Sequence, residues 1–574
     1  MPAPLSPFKQ AAAQAVASAL GVDAAMFAVT QPPDAALGDV AVGCFPAAKA
    51  LKAAPPQLAQ KAAAAFQPTE LLASATATGP YVNFKLERGA LYRMLFDAAL
   101  AAPPQLLPRS YGEGKTVCVD FSSPNIAKQL AYHHIRSTVL GHALVNLHRA
   151  LGYKVVGINH LGDWGTTFGM IIAAIQEWGA PDPFDIEAMN ALYVKFRAAA
   201  KDDKALEDKG RLWFKKLEDG DELARNLWQR IRDVSWAEFD QVYQILDIHF
   251  DEVRGEAAYE HAMQGVIDML SGKGLTSISE GALVVDLSAE NMPPLLLRKN
   301  DGATLYATRD LAAALYRWET HHPDKSLYVV GTGQALHFKQ LFRVLEKAGY
   351  AWSKNLAHVP FGIVKIQGKM TSTRQGHGAL LRPVLEEAQA KVAAEIAQKN
   401  PGLDGARREQ VARDVGVGAV VFANLSSQRE KDVEFDIDQV TSFTGDSGPY
   451  VQYAHARTAG ILRKAGAAAS DLAGADVSKL TQPEEWTLAR LLTELPDVCA
   501  SASESLEPHL LTRYLLDVCA AYSRWYAAGN DKPELRVVCD DADVARARLA
   551  LNAATRETLR VGLGILGINA PDEM

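Results

Sequence analysis

Residues 115–159 read KTVCVDFSSPNIAKQLAYHHIRSTVLGHALVNLHRALGYKVVGIN, and their grammar decides the fold. KTVCVDF (115–121) is a β-branched run, residues from about 131 to 150 have helical periodicity, and YKVVGIN (153–159) is again a buried strand. Strand, helix and strand in that order make a βαβ unit with parallel strands. A second set follows, with GATLYAT, the helix LAAALYRWE, the strand SLYVVG (326–331), the helix HFKQLFRVLEKAG and the strand HVPFGIVKI. Together they predict an α/β fold built on a Rossmann-like, doubly wound parallel sheet.

Working outward, the stretch from about 180 to 275 is charged and helical, and reads as an insertion that interrupts the sheet without adding strands. Upstream, the Pro-rich joint AAPPQLLPRSYGEG (101–114) marks a domain boundary. Before it, residues 8–20 suit a helix ending at Gly21, Pro55 and Pro56 must start or break a second, and TATGPYVNFKL alternates as a strand with Val82 and Phe84 on one face. Beyond about 400, strand signals fade and amphipathic helices such as QYAHARTAGILRKA and LLTRYLLDVCAAYSRWYAA run to Met574. The expected organisation is an α+β domain over 1–112, a sheet domain over 113–400 and an all-α bundle over 401–574.

Composition narrows the function. With 574 residues, 48% of them hydrophobic, and 9 Trp, 17 Tyr and 19 Phe, the chain can fill several cores, which excludes global disorder. The 59 basic and 67 acidic residues leave a net charge of −8, which excludes a globally basic nucleic-acid coat but leaves room for local phosphate-binding patches. The five cysteines (Cys44, Cys118, Cys499, Cys519 and Cys539) are far apart and form no CxxC pair, so neither a disulfide framework nor a zinc site is expected. No uncharged apolar run approaches the roughly 20 residues that span a bilayer, and MPAPLSPFKQ lacks the form of a secretory leader, so the expectation is a cytoplasmic protein.

In a doubly wound sheet, ligands lie beyond the carboxyl ends of the strands, where helix N-termini point amides at phosphate. After the first strand, Asp120 and Asn125 lie at the strand end, Lys128 on the turn, and His134, Arg136 and Ser137 open the helix. No GxGxxG or GxxxxGK accompanies them, which weighs against a dinucleotide fold and a P-loop enzyme. His133 and His134 are adjacent, so on a helix they would point about 100° apart, unsuited to shared metal ligation. No protein metal site is expected.

SSPNIAK (122–128), HIRST (134–138), INHLGDWGTTFGM (158–170), LYATRD (305–310) and FTGDSGPYVQYAHAR (443–457), in this order, resemble the arginyl-tRNA synthetases, a family of class I aminoacyl-tRNA synthetases. The resemblance covers essentially the whole chain and implies ATP-dependent activation of arginine, with Mg²⁺ on the pyrophosphate oxygens, and transfer to tRNA(Arg). A monomer that binds its tRNA before activation is implied as well. The family's HIGH signature aligns with Ala131, Tyr132, His133 and His134, so only its second histidine survives. Loss of a transition-state donor costs about 2.7–4 kcal/mol, and Lys128 is the expected compensating phosphate contact. The family's mobile KMSK loop corresponds to IQGKMTSTRQGHG (366–378), where Thr371 shifts the register around Lys369, Met370 and Arg374.

A guanidinium pairs best with a planar carboxylate in a dry pocket, and Tyr306 and Asp310, four residues apart, can be presented together by a helix start. The resemblance assigns both to the arginine pocket, with Gln334, Asp120, Ser122 and Asn125. Catalysis falls to Lys128, His134, Lys369 and Arg374, and ATP to His133, His134, Gly162, Asp163, Lys369 and Met370. His160 and Trp164 read as crevice walls. For tRNA, the candidates are Tyr81 and Asn83 on one strand face, and Tyr450, Gln452, Tyr453, His455 and Arg457 on a C-terminal helix, with PDEM (571–574) near the anticodon. The alternative is a tRNA-binding paralogue without activation, motivated by Ala131 and the irregular second signature.

Overall fold

The computed structural model describes residues 6–300, 305–366, 369–370 and 379–574. They form two compact units, one of Met1–Tyr111, Glu395–Gly418 and Ser442–Met574, the other of Gly112–Ala394 and Ala419–Thr441.

The first unit holds an antiparallel sheet, β1 (Val29–Thr30), β2 (Val40–Gly43), β3 (Leu72–Thr78) and β4 (Tyr81–Leu86), in the order β1-β2-β4-β3. Val82 and Phe84 are buried, as their alternation requires. The first helix runs Pro7–Leu20 and stops where Gly21 turns to φ +72°; the next breaks before Pro55, giving Phe45–Leu51 and Pro55–Ala65. The helices Gly448–Ala465, Pro483–Leu492, Leu495–Ser505, His509–Asp531 and Ala542–Ile565 complete this unit. Trp486 Nε1 donates to Asp39 Oδ1 at 3.0 Å, and buried Arg548 pairs with buried Glu485 at 2.7 Å.

The second unit is built on five parallel strands: β5 (Thr116–Asp120), β6 (Lys154–Asn159), β7 (Glu252–Val253), β11 (Lys325–Tyr328) and β12 (Leu356–His358), in the order β12-β11-β5-β6-β7. Val117, Cys118 and Val119 are all buried, because helices cover both faces. The helix His134–Ala150 carries the chain from β5 to β6, and at Gly141 it lies so close to the sheet that a Cβ would stand 2.1 Å from the Phe121 side chain. The chain leaves β5 towards β6 on one side, while β11 adds on the other, so the order reverses at β5 and opens a crevice beyond Asp120 and Tyr328.

Four expectations need correction. The insertion does add a strand: β7 sits at the sheet edge, and two residues are too few to show a period. Residues 276–298 form a separate antiparallel sheet of β8 (Thr276–Ser279), β9 (Ala282–Val285) and β10 (Leu295–Arg298). LYAT opens a helix, Tyr306–His321, rather than continuing a strand, and packs Leu311 and Ala314 into the core beneath it. HVPFGIVKI splits between β12 and β13 (Val364–Ile366), because Pro360 has no N–H and a Cβ on Gly362 would meet the Lys431 carbonyl oxygen at 2.5 Å. β13 pairs with β14 (Lys369–Met370) and with β15 (Val433–Phe435), a strand beyond residue 400; residues 419–441 belong to the second unit.

Candidate active site

The loop from Phe121 to His133 closes one side of the crevice, with Ser122, Ser123 and Ala127 at positive φ. Hydrogen bonds lace it to the loop after β6: Ile126 N donates to Gly162 O (3.1 Å) and Gly162 N to Pro124 O (2.9 Å). A Cβ on Gly162 would lie 2.1 Å from Asn125 Oδ1, so glycine is what lets the two loops meet. Asn125 itself is exposed at the crevice.

The helix begins at His134, capped by His133, and the two rings lie 4.1 Å apart between centroids at 34°. Residues 131–133 form a turn before the helix, and the neighbouring rings lie tilted against each other. His134 Nδ1 sits 3.0 Å from both N and O of Ala131. Burial, helped by His133 and Lys128, pushes the imidazole pKa down to about 3 against that backbone contact, so His134 is neutral. Ala131 bridges Leu380, and Tyr132 N donates to Ala379 O at 2.7 Å. The AYHH turn is therefore hydrogen-bonded to the backbone immediately after the second signature. Lys369 and Met370 lie in β14 against Ile366 and Lys365; Arg374 lies outside the described residues.

Arg136 is fully buried and donates to the carbonyls of Asn424, Gln428, Arg429 and Lys431 at 2.8–3.3 Å, fixing the segment that leads to β15. Lys128 holds its ammonium 5.2 Å from the ring of Tyr193, in the insertion helix Ile186–Ala200.

The opposite wall carries the carboxylates. Asp310, one turn into its helix, meets His337 Nε2 at 2.6 Å through Oδ2 and His160 Nε2 at 3.6 Å through Oδ1. A carboxylate only accepts, so His337 donates. Burial opposes the charge on Asp310, but the two histidines hold its carboxyl well below the ordinary range. Burial also disfavours a charged His160, yet Asp310 and Asp120 hold its pKa above the usual value. Tyr306 is half exposed, with its ring 4.8 Å from that of His337, and Gln334 is exposed at the start of the helix Ala335–Lys347. Tyr306, Asp310 and His337 thus come together from two helix starts, with Gln334 at the N-cap position of the second.

Asp120 ends β5, nearly buried. Its Oδ2 accepts from Arg317 Nη2 at 2.7 Å and its Oδ1 from Ser123 Oγ at 2.8 Å. His337 and Arg317 were not singled out from sequence. Arg317 is seven residues after Asp310, two helical turns on the same face, and that spacing was the available signal.

Some candidates are buried against partners within the protein. Ser122 is buried, with its hydroxyl 2.8 Å from both Thr138 Oγ1 and Tyr243 OH. Asp163, 2% exposed, accepts from Ala257 N at 2.8 Å and pairs with Arg232 at 3.3 Å; burial raises its pKa, and it ties the loop to the insertion. Trp164 is buried edge-on to Trp228 and Phe214.

In the first unit, Tyr81 is exposed but Asn83 is 3% exposed, since Gly38 lies against its Cβ and covers that end of the face. Gln452 and His455 are fully buried: Gln452 donates to the carbonyls of Asp414 and Asn569, and His455 Nδ1 lies 3.0 Å from Pro571 O. They hold the chain end, which Arg556 grips through Asp572 at 2.7 Å. Their helix turns one face inward, so two of the five expected contacts, Gln452 and His455, point into the core. Tyr453 and Arg457 face outward, the guanidinium 4.8 Å from the Tyr453 ring and 5.2 Å from that of Tyr526; Tyr450 is half-buried.

A reversed parallel sheet, an AYHH turn bonded to the backbone of Ala379 and Leu380 and a carboxylate on the facing helix define the catalytic domain of a class I aminoacyl-tRNA synthetase, and residues 97–437 match the family described as tRNA synthetases class I (R), catalytic domain. Residues 6–86 match the arginyl tRNA synthetase N terminal domain and 451–574 the DALR anticodon binding domain. The arginine–tRNA ligase of Exiguobacterium sp. AT1b is 44% identical, covering 99% of each chain, and that of Alkaliphilus metalliredigens 41% identical, covering 95% of each. The solved structure of Thermus thermophilus arginyl-tRNA synthetase superposes with a TM-score of 0.84 at 26% identity, over 99% of this chain and 100% of that one. The chain belongs to the arginyl-tRNA synthetase family and is an arginine–tRNA ligase. Nothing in these likenesses supports the alternative of a paralogue that has lost activation. No described helix is long and apolar enough to cross a membrane.

Proposed function

We propose that Asp310 and Tyr306 read the guanidinium of arginine, and that the arginine carboxylate attacks the α-phosphorus of ATP beside His134 and Lys128. The observation that carries this reading is Asp310, an ionised carboxylate held by two histidines yet open to the crevice. A permanently charged planar guanidinium is its natural partner. Asn125, Gln334 and Asp120 lie around the rest of the amino acid. ATP lies along His133, His134 and the Gly162 loop, with Lys369, Met370 and Arg374 approaching its phosphates; Ser122 and Asp163 shape the loops that carry these residues.

In the first step the carboxylate oxygen bonds to the α-phosphorus as the bond to the β-phosphate breaks, and pyrophosphate leaves. In the second, a hydroxyl of the terminal tRNA ribose attacks the adenylate carbonyl and AMP leaves. Such chemistry rests on positioning and charge. Lys128 supplies an ammonium, and neutral His134 supplies a hydrogen bond, Nδ1 being turned to Ala131. Among the described residues no cluster of three His, Cys, Asp or Glu could hold a metal, so Mg²⁺ would arrive on the ATP phosphates and no step is assigned to it.

tRNA(Arg) would lie along Tyr81 and along Tyr450, Tyr453 and Arg457, in a monomeric cytoplasmic enzyme. ATP–pyrophosphate exchange tests the reading: wild type should exchange with arginine and not with competing amino acids, run with and without tRNA. Asp310→Asn should lose at least about a hundredfold in kcat/KM for arginine. A loss under threefold would overturn the assignment of Asp310.

A further inference from the structure

Arginine carries two cations, its guanidinium and its α-ammonium, and the crevice has two carboxylates, Asp120 at the end of β5 and Asp310 on the facing helix. By charge alone the substrate could bind either way round. The structure makes the carboxylates unequal. Arg317, 2% exposed, donates to Asp120 Oδ2 at 2.7 Å, and Ser123 donates to the other oxygen. Arg317 also sits 5.1 Å from the ring of Tyr328, the register partner of Asp120 on β11, so packing fixes the guanidinium there. Asp310 faces only histidines, at 2.6 and 3.6 Å.

We propose that Arg317 is a positioning residue that sets the orientation of bound arginine, by pairing with Asp120 and leaving Asp310, which among the described residues meets histidines rather than a guanidinium or ammonium, as the carboxylate that takes the substrate's guanidinium. The inference rests on the reading of Asp310 given above. Asp120 keeps lone pairs to accept a hydrogen bond from the α-ammonium, but it no longer competes for the side chain.

Agmatine, which is arginine without its carboxylate, is a dication and reports the number of free carboxylates. Arg317→Met uncovers Asp120 and gives the site two. Its kcat/KM for arginine in pyrophosphate exchange should fall about tenfold or more, with the rise in KM dominating, while agmatine should inhibit exchange at least about tenfold more tightly than in wild type. Arg317→Lys should restore both towards wild type. A purely structural role would weaken agmatine and arginine together, and that result overturns the proposal. Should Arg317→Met not fold, Arg317→Gln, which keeps polar bulk without charge, is read in the same assay with the same expected opposite signs. Asp310→Asn is the separate control: an unchanged KM for arginine there overturns the reading of Asp310, whatever Arg317 does.

Discussion

His337 Nε2 lies 2.6 Å from Asp310 Oδ2, joining the starts of the two helices that flank β11 in the chain, Tyr306–His321 before it and Ala335–Lys347 after it. Without this bond the carboxylate can rotate away from the crevice. His337→Ala should therefore raise KM for arginine about tenfold with a smaller change in kcat, since it disturbs orientation rather than the phosphate side. His337→Asn, whose amide can still donate, should recover part of the loss. Exchange kinetics at varied arginine check both.

His160 makes arginine binding depend on pH. Its imidazolium is favoured by Asp310 and Asp120; Asp163 and Glu256 also face it, and Arg317 opposes. An incoming guanidinium competes with that imidazolium for Asp310. KM for arginine should fall as pH rises through the raised His160 pKa, above about 6.5. Stability moves the other way, because the proton on His160 stabilises the fold below that pKa and is lost above it. Calorimetry in two buffers of different ionisation enthalpy should register proton release on arginine binding, and His160→Asn should abolish it.

His134 behaves oppositely. Its folded pKa of about 3 lies below the 6.5 of an unperturbed histidine, so as pH falls the unfolded chain takes a proton that the folded chain refuses. Stability should decline below pH 6.5, by about 1.4 kcal/mol from this group at pH 5.5. Urea melts of wild type and His134→Gln across pH 5–8 check it, and parallel slopes would count against a neutral buried imidazole.

Lys128→Ala should cut ATP-dependent activation at least about a hundredfold, the scale of a lost charged contact to the transferring phosphates. Tyr193→Leu, which removes the ring beside the ammonium, should cost about tenfold or less. A drop below threefold for Lys128→Ala would remove it from the phosphate site. Single-turnover adenylate formation separates these effects from tRNA transfer.

Two neighbours on one helix should fail differently. Arg457→Ala, at a half-buried guanidinium between the rings of Tyr453 and Tyr526, should leave melting within about 0.5 kcal/mol but lower the salt slope of tRNA binding by about 1. His455→Ala, fully buried against Pro571, should cost about 1–3 kcal/mol of stability and leave that slope unchanged. Melting and filter binding over a salt series tell the two apart.

Local pattern determined the parallel sheet, the break at Pro55, the helix start at His134 and the placing of Tyr306 and Asp310 one turn apart on one helix, because each is written in spacings of two to four residues that the backbone must obey. The two-residue β7 and the sheet of β8–β10 escaped because so short a run carries no period. Likewise Asn83, Gln452 and His455 share composition with RNA contacts, and only the packing of Gly38 and of the chain end turned them inward. Most of the site was decided at long range. Arg317 reaches Asp120 across 197 positions, and His337 reaches Asp310 across 27, through strands whose order no local pattern states. The sequence alone named two carboxylates for one substrate; the tertiary structure made them unequal, because burial beside Asp120 placed a guanidinium of the protein's own.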